Sequence, residues 1–526
     1  MARHDAVHEG QRGPILDSEL SVSPKDYLRR IQTSSVYNVV SKTPLEHAHL
    51  LSKITGNNVF LKREDLLPVR SFKLRGAYNR IAQLSHAESM VGVIAASAGN
   101  HAQGVAYAAR LLGIKATLVV PVTTPEIKVQ AICELGAELV LYGENYDEAY
   151  EHARTLSDQT GQKFIHPYDD PDVIAGQGTV GLEISEQHPN PIEAVFVPVG
   201  GGGLISGVAL ALKQLRPGVK VFGVEASDSD AMSRSLELGE RITLDNVGLF
   251  ADGCAVRRVG ELTYAIAKEW VDEIIVVSND EICAAVREIF DNSRAIIEPS
   301  GALSYAGLKK WSADNQVDGS LVAILSGANV NFERLQFIAE RAKVGSHSEA
   351  IFAIHIPEKP GTFRDLCKAI GKRNLTEFNY RMGDPLKAIV FAGIAVRGDL
   401  DRAEVQKALT NAGYEAIDLT EDEVAKLHLR HLVGGRSEYA SNERVFRIEM
   451  PEKAGALQAF LDRLNGRWNI SLFHYRNHGS DRGRALVGFE VPPETNIEFE
   501  DFLAISPDRI EEETESDAVK LFLGIP

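Results

Sequence analysis

The sequence predicts an α/β protein. Its first part, about residues 26–343, is built on parallel sheet, and two α+β modules of βαββαβ type follow at about 347–433 and 441–526. Three observations predict this. Between about 35 and 340, short apolar runs alternate with amphipathic helical stretches, the pattern of strands buried on both faces and covered by helices. Beyond about 345 that rhythm stops and two blocks of sequence each occur twice. The chain, at 526 residues, also exceeds what one hydrophobic core holds, which predicts three or four domains.

Taken in order, residues 1–25 are polar and without period and read as a tail. Buried strands are expected at Val91–Ala96, Ala116–Val120, Leu139–Tyr142, Ala194–Val199, Val219–Glu225 and Leu321–Leu325, with helices such as Ala102–Leu112, Ile127–Leu135 and Ile205–Leu215 between them. The first part is expected to divide into two α/β subdomains, the smaller over about 77–170. Ligands of such sheets bind beyond the carboxyl ends of strands, so those loops carry the chemistry. In the second part, Ile351–Gly361 (IFAIHIPEKPG) recurs as Val445–Gly455 (VFRIEMPEKAG), and Asn374–Arg381 (NLTEFNYR) recurs as Asn469–Arg476 (NISLFHYR). Matched blocks at nearly constant separation mark a tandem repeat, with Gly434-Gly435 as the hinge between copies.

Composition narrows the function. Hydrophobic content of 44% and charged content of 25% are those of an ordinary globular protein. A net charge of −17 repels a phosphate backbone and argues against nucleic acid as a partner, and the acidic crowding at Asp508–Asp517 reads as solvated surface. Cys133, Cys254, Cys283 and Cys367 lie far apart without metal-ligand spacing, as expected of reduced thiols. No apolar run reaches the ~20 residues that span a membrane, and Met1–Pro14 lacks a signal core, so the cytoplasm is the expected location.

Four motifs carry chemistry. Lys62-Arg-Glu-Asp65 is followed by Ser71–Tyr78 (SFKLRGAY), where Ser71 is the expected N-cap of a helix running through Ile81. Lys73 then falls in the first turn, where the helix field disfavours a cation, a poor choice for stability but a good one for an amine that must attack a carbonyl unprotonated. Ala96–Gly104 (ASAGNHAQG) closes a strand and opens a helix. Its small residues let backbone amides converge on an anion such as a carboxylate, and Asn100 brings an amide suited to a phenolic oxygen or a carboxylate; an ordinary tight turn is the alternative. Pro198–Gly207 (PVGGGGLISG) places four glycines before a helix, which suits a phosphate. No Gly-Lys-Ser/Thr follows, and Ser206 breaks the dinucleotide fingerprint. Leu325–Asn329 (LSGAN) ends the last strand of this part.

In this order the four motifs resemble the fold-type II (tryptophan synthase β-like) pyridoxal-phosphate enzymes, and among them the biosynthetic L-threonine dehydratase family, over about residues 30–526. The repeat resembles that family's ACT-like regulatory tandem. The resemblance implies pyridoxal 5'-phosphate as cofactor, with Lys73 as its Schiff-base lysine and catalytic base, and Phe72 beside the ring. It implies Asn100 facing the ring hydroxyl, Gly200, Gly201, Gly202, Gly203 and Leu204 cradling the phosphate, and Ser326 at the pyridine nitrogen. Ser97, Ala98, Gly99, Asn100 and His101 would hold the substrate carboxylate. A serine at the ring nitrogen makes a weaker electron sink than an aspartate, which favours β-elimination over transamination. Racemases of this fold carry a serine where this chain has Ala98. No metal is expected: Glu225 stands at a cation-ligand position of the fold, but Ala231 replaces the acidic residue expected six positions on, with Asp230 one place off.

The implied reaction is conversion of L-threonine, with L-serine as a possible second substrate, to 2-oxobutanoate and ammonia at the head of isoleucine biosynthesis. The resemblance further implies isoleucine as inhibitor, valine as antagonist and a homotetramer. The repeated Phe-x-Tyr-Arg places Tyr380, Arg381, Tyr475 and Arg476 as candidate effector residues, since arginine grips a carboxylate through two hydrogen bonds; a core tyrosine and a surface arginine are the plain alternative. Two other functions stay open: a serine-specific deaminase or β-replacement enzyme of the same fold, and an amino-acid sensor without catalysis.

Overall fold

Two sheets of parallel strands organise the N-terminal half of a computed structural model that describes residues 23–526 apart from 125, 333, 383–385, 423–424, 427–436, 452–455, 477–481, 507, 516–518 and 520–526. The expected tail up to residue 22 and the expected hinge Gly434-Gly435 lie outside the described residues. The chain forms two units, Met1–Ile338 and Ala339–Pro526.

In the first unit the strands are β1 (Leu45–His47), β2 (Asn58–Arg63), β3 (Val93–Ala96), β4 (Ala116–Val120), β5 (Glu138–Leu141), β6 (Lys163–Phe164), β7 (Ile192–Pro198), β8 (Lys220–Ala226), β9 (Glu273–Val277) and β10 (Ser320–Leu325). They make a six-stranded sheet of order β1-β2-β10-β7-β8-β9 and a four-stranded sheet of order β5-β4-β3-β6. All pairs are parallel except β1 with β2. The six expected strands are all present, shifted by a residue or two. Four are additions to the sequence reading: β1 and β6 are too short to show a period, β2 mixes charged and apolar residues, and β9 is a run of only four apolar residues behind Asp272-Glu273.

The central strands are apolar because both faces are covered. Every residue from Leu321 to Leu325 is fully buried, each large side chain contributing about 1.5–3 kcal/mol of transfer free energy. Helix starts follow capping chemistry. Asp170 accepts from the amides of Asp172 and Val173 ahead of the helix Pro171–Gln187, and Ser278 with Glu281 forms a capping box for Asn279–Ser293.

One polar cluster lies inside this unit. Arg75, two residues beyond Lys73, donates Nε to Glu64 Oε2 at 2.7 Å and Nη1 to Glu183 Oε1 at 2.6 Å. Lys62 Nζ donates to Glu183 Oε2 at 2.6 Å and to the Thr43 carbonyl at 2.7 Å. All four charged side chains are fully buried. Two cations against two carboxylates with further hydrogen bonds meet the condition under which buried ions are tolerated, and they anchor β2 to the helices Lys73–Ile81 and Pro171–Gln187.

The second unit is a single antiparallel sheet. Its strands are β11 (Glu349–Pro357), β12 (Leu375–Arg381), β13 (Lys387–Ala395), β14 (Glu415–Asp418), β15 (Glu443–Pro451), β16 (Asn469–Arg476), β17 (Arg482–Glu490) and β18 (Arg509–Glu512). Each module runs β-α-β-β-α-β, through helices Thr362–Ile370 and Asp399–Asn411 in the first and Ala456–Leu464 and Asn496–Ile505 in the second. The order β14-β11-β13-β12-β16-β17-β15-β18 joins the modules edge to edge through β12 and β16. In that join Phe378 faces Tyr475 and Tyr380 faces Phe473, so the repeated residues pair about a local two-fold axis at Asn379 and His474.

Candidate active site

The strand β10 ends against the segment that carries Lys73. The Phe72 amide donates to the Ser326 carbonyl at 3.0 Å, Ala328 N to the Arg70 carbonyl at 2.8 Å, and Ser71 bridges to Gly327. That zipper corrects the expected cap. The helix Lys73–Ile81 starts without a side-chain cap, with Phe72 and not Ser71 at the N-cap position, because the backbone at 71–72 is already drawn to β10. Lys73 nevertheless opens the first turn. Its Nζ donates to the Pro167 carbonyl at 3.2 Å and lies 5.2 Å from the Phe72 ring centroid. Burial pulls its pKa down to about 8, against smaller opposing contributions from Cys254 and Glu298. At neutral to mildly alkaline pH a useful fraction of this amine is unprotonated.

Two rows of backbone amides donate to no acceptor among the described residues. After β7, the helix Gly203–Leu215 begins at Gly202, which takes φ 95°, a conformation that suits glycine. Among the described residues, none of the amides from Gly200 to Ile205 donates to a protein acceptor. The glycines answer to protein neighbours as well as to a ligand, for a Cβ on Gly201 would stand 2.3 Å from the Tyr168 ring. After β3, Gly99 precedes the helix Asn100–Leu112, and the amides of Ala98, Asn100 and His101 likewise have no acceptor in the described protein. Ser97 Oγ accepts from Gly99 N at 3.3 Å and shapes the turn. Buried amides at a helix N-terminus seek an anion.

Side chains complete the picture. Asn100 Nδ2 donates to Glu298 Oε1 at 2.6 Å while its Oδ1 accepts from Asn329 Nδ2 at 2.6 Å. The His101 ring is buried and held neutral, its pKa near 3 through burial and the neighbouring Lys73. Because a carbonyl can only accept, the ring donates Nε2–H to Ile165 O at 2.9 Å; what His101 offers the turn is its amide. Ser326 is buried, its hydroxyl reaching only the Ser300 carbonyl at 3.4 Å. Glu225 is occupied by the amides of Met232 and Ser233 at 3.0 and 2.8 Å, and among the described residues no group of three His, Cys, Asp or Glu side chains is arranged to hold a metal.

Several neighbours were missed in the sequence. Pro167 and Tyr168 link Lys73 to Gly201. Cys254 packs its backbone on Gly200, a Cβ there standing 2.9 Å from the Cys254 Cα, and burial pushes its thiol up to about 12. Glu298 had a signal: an acidic residue ending the apolar pair Ile296-Ile297, just ahead of a helix-opening proline.

In the second unit Tyr380 is buried and its hydroxyl donates to Glu358. Arg381 reaches the Glu443 carboxylate across the β12–β16 join. Tyr475 is also buried, and the side chain of Arg476 lies outside the described residues. Glu358, which accepts from Tyr380, also lines a small open pocket together with Ile356, Phe363, Leu461, Trp468 and Asn469.

A partly buried amine of lowered basicity, on a chain whose parallel strands end in amide-lined turns, points to the class of pyridoxal-phosphate enzymes, and the family model for pyridoxal-phosphate dependent enzymes matches residues 36–327. The model for the C-terminal regulatory domain of threonine dehydratase matches twice, at 340–429 and 434–523. The chain is 50% identical to the L-threonine dehydratase biosynthetic IlvA of Burkholderia multivorans over 95% of its own length and 99% of that protein. To the Escherichia coli protein of the same name it is 46% identical, over 97% and 100%. Among solved structures, the processed form of threonine deaminase isoform 2 from Solanum lycopersicum matches with a TM-score of 0.60 and 48% identity, over 61% of this chain and 88% of that one. The chain belongs to the biosynthetic L-threonine dehydratase family.

The residues present fit the cofactor of that family. The amides of Gly200–Ile205, which donate to no described protein acceptor, suit its phosphate, and the amine of Lys73 suits its aldehyde. Buried Ser71 Oγ and Gln177 Oε1, both without a hydrogen-bond partner among the described residues, add polar capacity beside Phe72 and Gly203.

Proposed function

We propose that this chain removes water and then ammonia from L-threonine, giving 2-oxobutanoate, as the committed step toward isoleucine. The observation that carries the reading is the Lys73 amine, lowered in basicity by burial and close enough to His101 and to Cys254, which packs on Gly200, to feel their charge, with two sets of nearby amides that have no acceptor among the described residues. Bound pyridoxal phosphate supplies an electron sink for negative charge at the substrate α-carbon. The protein does the rest. Gly200, Gly201, Gly202, Gly203 and Leu204 hold the phosphate by backbone amides, Phe72 flanks the ring, Asn100 meets the ring oxygen and Ser326 meets the ring nitrogen. The turn from Ser97 through Ala98, Gly99 and Asn100 to His101 binds the substrate carboxylate, which fixes the α-hydrogen toward Lys73. The neutral Lys73 amine takes that proton, and the β-hydroxyl would leave as water with a proton supplied by the cofactor's phosphate held at Gly200–Leu204.

The second unit is a regulatory one that binds free amino acids, isoleucine inhibiting and valine opposing it. Tyr380, Arg381, Tyr475 and Arg476 are the proposed effector residues. Support comes from Glu358, which receives the Tyr380 hydroxyl and lines the small pocket beside it, where a carboxylate suits an effector's ammonium. Described helices include none long and apolar enough to cross a membrane. The four cysteines are free, which supports a reducing, cytoplasmic setting for the homotetramer we propose.

One set of assays tests this. Purified protein reconstituted with the cofactor should absorb in the visible and release 2-oxobutanoate from threonine, faster than it deaminates serine or acts on O-acetylserine. Lys73→Ala should abolish both the band and the product, and isoleucine should inhibit unless valine is added. A protein that turns over only serine, or keeps its band in Lys73→Ala, refutes the catalytic reading. Normal isoleucine inhibition in both Tyr380→Phe and Tyr475→Phe refutes the effector assignment.

A further inference from the structure

Asn100 is the middle link of a directed hydrogen-bond chain whose two ends decide its polarity. At one end is the Val69 carbonyl, which can only accept; Asn329 Nδ2 donates to it at 2.8 Å. The same Asn329 Nδ2 donates to Asn100 Oδ1 at 2.6 Å, so the amide of Asn100 turns its oxygen toward Asn329. At the other end is the Glu298 carboxyl, whose Oε1 accepts from Asn100 Nδ2 at 2.6 Å. A primary amide has two N–H donors and one carbonyl acceptor. Oδ1 keeps a second lone pair but is held on the Asn329 side, and with one N–H given to Glu298 the second N–H is the donor that Asn100 has left for a ligand. Glu298 is admitted to this place because residue 327 is glycine: a Cβ there would stand 2.2 Å from Glu298 Oε1.

We propose that Glu298 and Asn329 are positioning residues that lock Asn100 so that it faces the bound ligand as a hydrogen-bond donor alone, selecting a negatively charged oxygen on the ligand ring over a protonated one. The proposal rests on the reading of Asn100 as the residue that meets the ring oxygen, and adds what holds it there and which protonation state it selects. Donation to an anion is worth more than donation to a neutral oxygen, so the lock lowers the pH at which the ring oxygen loses its proton. Burial raises the Glu298 carboxyl to about 7, with Asp252 adding to the rise, while Asn100, Lys128 and the Asn329 amide oppose it; Lys73 and Cys254 are the other titratable groups that feel its charge. When ionised, Glu298 can only accept, and the direction of the chain is strict.

Glu298→Gln and Asn329→Ala test the lock, because glutamine can donate as well as accept and alanine frees Asn100 Oδ1. Three readouts apply: cofactor affinity of the apoprotein by fluorescence titration, the pH midpoint of the visible band of the reconstituted protein, and kcat separately from KM. Each variant should bind cofactor about tenfold more weakly, shift the band's midpoint to higher pH, and lower kcat about tenfold with KM for threonine nearly unchanged. Unmoved affinity and midpoint in both variants, with only thermal stability reduced, would overturn the proposal. Absence in the native protein of any band that depends on Lys73 would instead refute the site on which the proposal stands.

Discussion

Lys73 illustrates how one residue can be read locally. Its place in the first turn, after an apolar segment and before Leu-Arg-Gly, follows from a short stretch of sequence, and so do the glycines of Gly200–Gly203 at the end of an apolar run. Glu298 was legible as an acidic residue after an apolar pair but not as a neighbour of the site, because that meaning comes from Asn100, 198 residues away in sequence. Ser71 was misread because a serine before a helix resembles a cap, while its backbone is claimed by β10, a partner no local pattern reveals. The lowered basicity of Lys73 also has a stability consequence. In the unfolded chain its amine titrates near 10.5 and in the folded apoprotein near 8, so between those values the unfolded state holds a proton the folded state lacks. The Lys73 contribution to stability therefore improves as pH rises from 8 to 10.5, and its penalty is fully present below 8. Lys73→Met should stabilise the apoprotein at pH 7 by about 1 kcal/mol after allowance for partial exposure. Most of that gain should be gone by pH 10 in denaturant titrations of the two proteins, and a gain that does not depend on pH would contradict the assignment.

At the scale of elements, the sequence revealed the strands that are buried on both faces and the helices with capping signals, but not their neighbours. Nothing in Leu321–Leu325 says that β10 lies between β2 and β7; that order follows from packing across the whole unit. The Lys62–Glu64–Arg75–Glu183 cluster is a further case. Lys62-Arg-Glu-Asp65 was noticed as a motif, and the structure shows Lys62 and Glu64 pointing inward to meet Arg75 and Glu183, with no solvent contact. Removing one charge from such a set leaves the others uncompensated. Arg75→Met should cost about 3–5 kcal/mol, read as a lower denaturation midpoint of the catalytic unit, and should loosen the helix that carries Lys73. A loss below about 1 kcal/mol would mean that water or rearrangement compensates the carboxylates.

Across the whole molecule, the division into a catalytic and a regulatory unit was visible from the repeat, whose two copies keep Pro-Glu-Lys and Phe-x-Tyr-Arg in step. The edge-to-edge joining of the copies was not, since strand pairing between modules leaves no periodic mark. Two units, the first built on two sheets and the second on one, each with its own core, should unfold in two calorimetric steps. Isoleucine, binding the regulatory unit, should raise the temperature of one step in proportion to the logarithm of its concentration and move the other less. A single transition that isoleucine leaves in place would contradict both the partition and the proposed effector.

The register of β12 against β16 has one more consequence. Each strand meets its counterpart as it would meet a copy of itself, Phe378 opposite Tyr475 and Tyr380 opposite Phe473. Either module released from the other would therefore present an adhesive border already shaped for its own twin. What the tandem arrangement accomplishes is to satisfy that border within one polypeptide, turning a potential self-association into an internal seam.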